Sequence, residues 1–199
     1  MKKVLLLLAE GFEIYEASVF IDVMGWNLLE GDGSTRLYTC GLQKQIKSTF
    51  GQGFIVDLTI DEINIDDFDA LAIPGGFDEY DFYCDAYNEK FLDLIRKFNS
   101  GNKIIASVCT GALPIGKSGV LKGRNGTTYN RNPQRHETLR SFGVNVLNEP
   151  LVVDKNVITS WNPSTAMNVA FLLLEKLTSA ANTEKIKYLM GFAENETKE

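Results

Sequence analysis

The sequence predicts a doubly wound α/β fold, in which a mostly parallel sheet is sandwiched by helices. Short apolar runs alternate along the chain with segments whose apolar residues follow the helical period. Because the runs are continuously apolar, their strands are expected to be buried on both faces, as in parallel sheets that helices cover. With 199 residues, 44% of them hydrophobic, the chain is long enough for one domain with a substantial core. We expect this domain to span residues 1–192 and a polar tail to span residues 193–199.

Three βα units account for most of the predicted sheet. The first combines a strand at residues 4–9 with a helix whose apolar stripe is Ala17, Phe20, Ile21, Met24 and Leu28. The second combines a strand at residues 70–73 with a helix whose stripe is Phe91, Leu94, Ile95 and Phe98. The third combines a strand at residues 103–108 with a short helix near residues 110–117.

The remaining segments predict smaller additions to this plan. A strand at residues 157–159 precedes a closing helix with Ser164 as its N-cap and with a core face of Ala166, Val169, Ala170, Leu173 and Leu177. Segments 46–60 and 144–159 are typical of short strands and turns, which we expect to add to the sheet in the antiparallel direction. Residues 132–142 have helical character.

Charge and cysteine content restrict the class of function. The net charge is −6, the isoelectric point is near 4.9, and the basic residues are scattered, so neither nucleic acid nor a membrane surface is an expected partner. Three cysteines without CxxC spacing indicate neither a disulfide framework nor a zinc site. We therefore expect a cytoplasmic protein that acts on a small molecule without a metal or cofactor.

Cys109 is the strongest candidate for a reactive residue. It lies where the apolar run at residues 104–108 ends and the predicted short helix begins. A helix N-terminus lowers the pKa of a thiol, and a sharp turn between strand and helix exposes a nucleophile above the sheet. The alternative at this position is a small buried hydrophobic residue, which describes most free cysteines.

Two other features follow predicted strands and are expected at the same edge of the sheet. Gly75 and Gly76 come directly after the strand at residues 70–73, where the Gly76 N–H is a candidate donor to an oxyanion. Glu10, Glu13 and Glu16 come after the first strand. One of these carboxylates, placed beside a thiol, would share a proton with it and change its pKa. The alternative for Gly75 and Gly76 is an ordinary turn. The alternative for the three glutamates is that they only complement the dipole of the helix that they begin.

These pieces together resemble the ThiJ/PfpI superfamily over about residues 2–178. The resemblance rests on the segment 9–23 with Glu16, the turn at residues 74–76, the segment 106–111 around Cys109, and Pro163. It implies a flavodoxin-like fold, which is usually homodimeric, and it assigns Cys109 as the nucleophile and Glu16 as the acid bonded to it. It further implies that the N–H groups of Gly76 and Thr110 form the oxyanion hole.

The residue after Thr128 separates this chain from some members of the superfamily. Proteolytic and some glyoxalase-like members carry a histidine about twenty residues beyond the cysteine, whereas this chain has Tyr129 there. The single histidine, His136, is expected on the solvent side of a helix. Tyr129 is expected either to donate a hydrogen bond to a substrate or to fill the site. The segment 109–111 also resembles isonitrile hydratases, which have an aspartate where this chain has Glu16.

A phosphate-loop pattern at residues 111–118 is expected to be coincidental. The pattern requires a helix that begins at Lys117, but Gly119 and Gly123 follow closely, so the helix is expected to precede Lys117. Residues 152–154, which resemble a Walker B strand, do not change this interpretation.

Three hypotheses of function follow from these observations. The leading one is a cysteine-dependent hydratase or hydrolase-like enzyme that acts on a small electrophilic carbon; protease activity is disfavoured because the histidine is missing. The second is a redox or electrophile sensor in which Cys109 is oxidised. The third is a stress-response holdase without turnover, which would leave Cys109 with ordinary reactivity.

Overall fold

The computed structural model describes residues 1–193 and contains a twisted central sheet between two layers of helices. Its seven strands lie in the order β10-β11-β7-β6-β1-β2-β5, and all neighbouring pairs are parallel except β10 with β11. The strands of this sheet are β1 Lys2–Leu7, β2 Thr35–Gly41, β5 Leu58–Thr59, β6 Ala70–Ile73, β7 Ile104–Ser107, β10 Leu151–Asp154 and β11 Val157–Ser160. The doubly wound, mostly parallel fold is thus confirmed.

Four short strands lie outside the central sheet and pair with one another. They are β3 Gln45–Lys47 with β4 Gly53–Ile55, and β8 Asn125–Gly126 with β9 Asn145–Val146. The helices are α1 Ile14–Glu30, α2 Phe82–Ala86, α3 Glu89–Ser100, α4 Ala112–Lys117, α5 Pro133–Ser141, α6 Ala166–Leu177 and α7 Ala180–Leu189. Within residues 1–193, no helix has both the length and the apolar character to span a bilayer.

Burial on both faces of the sheet explains the continuously apolar strands. Along β1, Val4 and Leu6 pack on the face that α1 and α6 cover, whereas Leu5 and Leu7 pack on the face that α3 and α4 cover. Successive side chains of a strand point to opposite faces, so both sets of positions must be apolar. The β1 side chains from Val4 to Leu7 are fully buried.

Several details of the predicted elements are wrong. Ile21 and Leu28 are 36% and 37% exposed, because they lie about 100° around α1 from its buried face. The N-cap before the closing helix is Asn162, whose side chain accepts from the Ser164 N–H, so Ser164 is not the cap. β2 and α7 were not predicted.

The predicted antiparallel additions are correct at one edge of the sheet and wrong at the other. β10 pairs with β11 in the antiparallel direction, as expected for residues 144–159. In segment 46–60, however, β3 and β4 form their own two-stranded sheet, and β5 joins β2 in parallel. The predicted tail at residues 193–199 lies outside the described residues except for its first residue, and the single domain at residues 1–192 stays a prediction.

The helix that carries the phosphate-loop pattern ends at Lys117, as the sequence predicts. Asp154, in the segment that resembles a Walker B strand, accepts a hydrogen bond from Arg124 Nε at 2.9 Å. No helix therefore begins at Lys117, and Asp154 is bound in an ion pair. These contacts support the interpretation that the pattern is coincidental.

Gly11 is expected to be essential for the turn between β1 and α1. It has φ of +70°, and a Cβ built on it would lie 2.1 Å from the carbonyl oxygen of Tyr80. We expect Gly11→Ala to reduce the free energy of unfolding by more than about 2 kcal/mol, measured by urea denaturation. The matched control is Gly25→Ala in α1, where a Cβ meets nothing within 4 Å. That variant is expected to gain about 0.5–1 kcal/mol; equal effects of the two substitutions would contradict this account.

Candidate functional site

Cys109 lies on a strained turn between β7 and α4. It begins the 3₁₀ turn Cys109–Gly111 and has φ of 57°, a conformation that residues other than glycine rarely adopt. Two contacts keep this turn in place. The Thr128 hydroxyl donates a hydrogen bond to the Cys109 carbonyl at 2.9 Å. The backbone of Gly111 packs so closely against β6 that a Cβ at this position would lie 2.6 Å from the Ile73 carbonyl oxygen. Backbone strain of this kind persists at functional sites because the surrounding structure enforces it.

Glu16 is fully buried in the first turn of α1 and contacts the loop after β6. Its Oε2 accepts a hydrogen bond from the Gly75 N–H at 2.7 Å. Its Oε1 is also buried and has no hydrogen-bond partner among residues 1–193. Gly75 must be glycine here, because a Cβ would lie 2.7 Å from Thr110 Oγ1 and 2.9 Å from Glu16 Oε2.

Burial controls the protonation of the Glu16 and Cys109 pair. Burial raises the pKa of the Glu16 carboxyl from 4.5 to about 8, although the Gly75 N–H opposes this change. Burial also raises the pKa of the Cys109 thiol; the charge of Glu16 adds to this effect, and the Thr110 N–H opposes it. The expectation that the helix N-terminus lowers the thiol pKa is therefore wrong, since α4 has only six residues and its dipole does not offset desolvation.

Thr110 and Gly76 form a reciprocal hydrogen-bonded pair beside the thiol. The Gly76 N–H donates to Thr110 Oγ1 at 3.0 Å, and the Thr110 hydroxyl donates to the Gly76 carbonyl at 2.9 Å. The Thr110 N–H faces the Cys109 sulfur, where it favours the thiolate. Of the two N–H groups assigned to an oxyanion hole, one is thus directed at the sulfur and the other donates to a hydroxyl.

The site opens into a cavity of about 320 Å³ at the carboxyl edge of the sheet. Of the predicted site residues, the cavity wall includes Cys109, Glu16, Gly76, Thr110 and Tyr129, and Gly75 lies behind Glu16. His136 does not line the cavity; it is half-buried, and its Nε2 lies 3.3 Å from the Thr128 carbonyl oxygen. Within residues 1–193, no three His, Cys, Asp or Glu side chains are grouped to hold a metal ion.

The DJ-1/PfpI family model matches residues 2–176. This chain belongs to the DJ-1/PfpI family. It is 33% identical over 162 residues to Deglycase PfpI of Pyrococcus furiosus, a match that covers 81% of this chain and 90% of the relative. It is 27% identical over 189 residues to protein dj-1beta of Drosophila melanogaster, over 93% of this chain and 94% of the relative. The resemblance to the ThiJ/PfpI superfamily is therefore confirmed.

Solved structures of the DJ-1/PfpI family show the same fold. The crystal structure of Drosophila melanogaster DJ-1beta has a TM-score of 0.84 at 24% identity and covers 97% of this chain and 99% of that chain. A ThiJ/PfpI domain protein from Brachyspira murdochii has a TM-score of 0.75 at 17% identity, over 88% of this chain and 95% of that chain. At these identities the likeness establishes the fold alone.

Several cavity residues of this DJ-1/PfpI chain were not predicted from its sequence. One of them is Phe50, which has φ of 70°; its ring lies 6.3 Å from that of Phe77, a cavity residue that directly follows the predicted Gly76. Asn132 and Arg135, from the beginning of α5, also line the cavity. The sequence carries no periodic or motif signal for Phe50, Asn132 or Arg135, because the packing of their segments against the site brings them to the cavity.

Proposed function

We propose that this protein is a cysteine-dependent hydrolase or hydratase that acts on a small electrophilic carbon. The observation that carries the proposal is the Cys109 thiol, presented on a strained turn into a small cavity beside the buried carboxyl of Glu16. The Pyrococcus relatives named deglycases support hydrolytic chemistry.

The proton shared by Glu16 and Cys109 sets the proposed sequence of steps. When the pair has lost one proton, the sulfur attacks the electrophilic carbon, a carbon–sulfur bond forms, and the thiol proton passes to the Glu16 carboxylate. Two electrons of the carbonyl π bond move onto its oxygen. For a substrate with a leaving group, these electrons re-form the π bond as the bond from carbon to the leaving group breaks, and Glu16 gives its proton to the leaving group. Water then adds its hydroxyl to the carbon and its remaining proton to the sulfur, so that the carbon–sulfur bond breaks and the thiol is restored.

The developing oxyanion requires donors close to Cys109. The Thr110 N–H already faces the sulfur. We propose that the substrate oxygen replaces the Thr110 hydroxyl as the acceptor of the Gly76 N–H, which now spans 3.0 Å. Rotation of the Thr110 side chain about its Cα–Cβ bond would release this donor, because it moves Oγ1 away from the Gly76 N–H; the bond from the Thr110 hydroxyl to the Gly76 carbonyl would break with it. Tyr129, in the cavity wall, would add a hydroxyl donor to a bound substrate.

A panel of small aldehydes, isonitriles and amides tests this proposal. At least one member is expected to be consumed over many turnovers without any added metal or cofactor. Consumption limited to one equivalent per chain would show that Cys109 reacts without hydrolysis of the adduct, which would contradict the proposal. Isonitriles are included because residues 109–111 resemble those of isonitrile hydratases.

A second candidate function is a peroxide sensor, which the unpartnered Oε1 of Glu16 favours. A protonated Glu16 would donate a hydrogen bond from this position to a sulfinate oxygen on Cys109. Two molecules of peroxide would oxidise the thiolate through a sulfenate to the sulfinate, and each peroxide would be reduced to water.

Mild peroxide treatment followed by intact-mass measurement tests the sensor. Oxidation at Cys109 alone is expected to add about 32 Da, the mass of two oxygen atoms, and to stop there. Peptide mapping distinguishes Cys109 from the exposed Cys84. Preferential oxidation of Cys84, or a mixture that proceeds to three oxygens, would contradict this role.

We further propose that the protein is a cytoplasmic homodimer. All three cysteines are free, which fits a reducing compartment. Trp26 and Leu29 on the outward side of α1 are 40% and 81% exposed, which supports contact with a second copy of the chain.

A further inference from the structure

Arg135 places a positive charge in the wall of the same cavity that contains Cys109. It lies in the first turn of α5, whose N-cap Asn132 also lines the cavity. The positive end of the nine-residue helix and the guanidinium group are therefore on the same wall. Both favour a negative charge on whatever occupies the cavity.

The Arg135 side chain has no protein partner for its charge among residues 1–193. It is half-buried, yet it makes neither an ion pair within 4.0 Å nor a side-chain hydrogen bond, in contrast to Arg124, which bonds Asp154 at 2.9 Å. Two other carboxylates line the cavity. Glu13 caps α1 by accepting from the Glu16 N–H at 2.9 Å, and Glu79 is exposed to solvent. The N–H donors of the Arg135 guanidinium are thus free to bind a ligand.

Aromatic packing fixes the position of the Arg135 guanidinium. Its central carbon lies 5.2 Å from the centre of the Tyr83 ring. The Tyr83 ring in turn packs against Phe82 and Tyr87, with centroid distances of 5.1 Å and 4.9 Å. A guanidinium that is packed against an aromatic ring loses less freedom when it binds a ligand than one that extends into solvent.

We propose that Arg135 binds a carboxylate of the substrate, so that the preferred substrates are small carboxylic acids that carry the electrophilic aldehyde, isonitrile or amide carbon near the acid group. The planar fork of arginine matches the two oxygens of a carboxylate. A cavity of about 320 Å³ restricts the ligand to a small molecule. This inference rests on the proposed function for the reaction at Cys109, and it adds the group that selects the substrate.

Alkylation of Cys109 tests the anion preference without any need for turnover. Iodoacetate and iodoacetamide have nearly the same shape and differ in charge; with either reagent, the sulfur displaces iodide and forms a carbon–sulfur bond. Second-order rate constants would be measured for each cysteine by peptide mapping. We expect the iodoacetate to iodoacetamide ratio to be about tenfold higher at Cys109 than at the exposed Cys84.

Variants assign the preference to Arg135. Arg135→Gln is expected to lower the ratio at Cys109 about tenfold, whereas Arg131→Gln, which removes the same charge from an exposed residue outside the cavity, is expected to leave it unchanged. Because the ratio compares two reagents on one thiol, a change in the thiolate fraction cancels. Arg135→Lys keeps the positive charge but lacks the planar guanidinium group. It is expected to give an iodoacetate to iodoacetamide ratio at Cys109 between those of the unaltered protein and Arg135→Gln.

The outcomes separate this inference from the proposed function. Equal ratios at Cys109 and Cys84 in the unaltered protein, or a ratio that Arg135→Gln does not change, would overturn the carboxylate site. The first comparison needs no variant and therefore stands even if Arg135→Gln fails to fold. A high ratio at Cys109 together with no turnover of any compound would support the anion site and refute the enzyme.

Discussion

Cys109→Ser is expected to reduce turnover of any substrate at least about 10³-fold. A serine hydroxyl has nearly the volume of the thiol, but its pKa is too high for Glu16 to remove its proton, so no nucleophile forms at neutral pH. The measurement is kcat/KM for the compound that the panel identifies. Because the residue lies at the edge of a cavity, we expect the melting temperature to change little.

Cys84→Ser is the matched control for this variant. Cys84 is exposed and does not line the cavity of Cys109; its sulfur lies 4.0 Å from Asp81 Oδ1. The control is expected to retain full turnover. If Cys109→Ser keeps more than about a tenth of the activity, covalent catalysis by this residue is excluded.

Glu16→Gln is expected to make the stability of the protein less dependent on pH. The pKa of Glu16 is raised from 4.5 to about 8 in the folded state. The folded state therefore retains a proton that the unfolded chain releases, so the stability contributed by Glu16 is fully present below about pH 4.5 and is lost as the pH rises to about 8. Glutamine cannot ionise and avoids this loss, which is on the order of a few kcal/mol.

Urea denaturation at pH 5, 7 and 9 measures this effect. The free energy of unfolding of Glu16→Gln, relative to that of the unaltered protein, is expected to increase between pH 5 and pH 9. Glu79→Gln, which removes an exposed carboxylate from the same cavity, controls for the change in net charge. A difference that stays constant with pH would show that Glu16 is not buried as a protonated acid.

The same variant is expected to alter the pH dependence of catalysis. In the unaltered protein, kcat/KM is expected to rise with pH up to about 8, where the Glu16 and Cys109 pair loses its first proton. Glu16→Gln removes the group that accepts the thiol proton. The rise of kcat/KM near pH 8 is therefore expected to disappear in this variant. Its kcat/KM is expected to be about 10²-fold or more below that of the unaltered protein. An unchanged pH profile would contradict the shared proton.

The sequence was sufficient to predict the sheet and the elements that carry the site. The largely apolar runs at residues 4–9, 70–73 and 103–108 each contain residues of a buried parallel strand, because apolar side chains fit between two helical layers. Since the carboxyl ends of parallel strands share an edge, Cys109 and the loop at Gly76 were expected together. The structure places both in one cavity.

Segments whose position depends on packing rather than on local pattern were predicted less well. Ile21 and Leu28 are apolar and helically spaced, yet they lie outside the buried face of α1. β5 has only two residues and exists because β2 offers an unpaired edge. Neither outcome has a signal in the local sequence.

For the site, the sequence by itself determined that a thiol lies at a turn between strand and helix, and that carboxylates and glycines follow neighbouring strands. Only the tertiary structure decided the chemistry of these groups. The rotation of α1 turns Glu16 inward, and the depth of burial, rather than the helix dipole, sets the protonation of its pair with Cys109. The packing of α5 brings Arg135 to the cavity. The reason is physical: desolvation and charge pairing depend on which atoms surround a group in space, and distant parts of the chain supply those atoms.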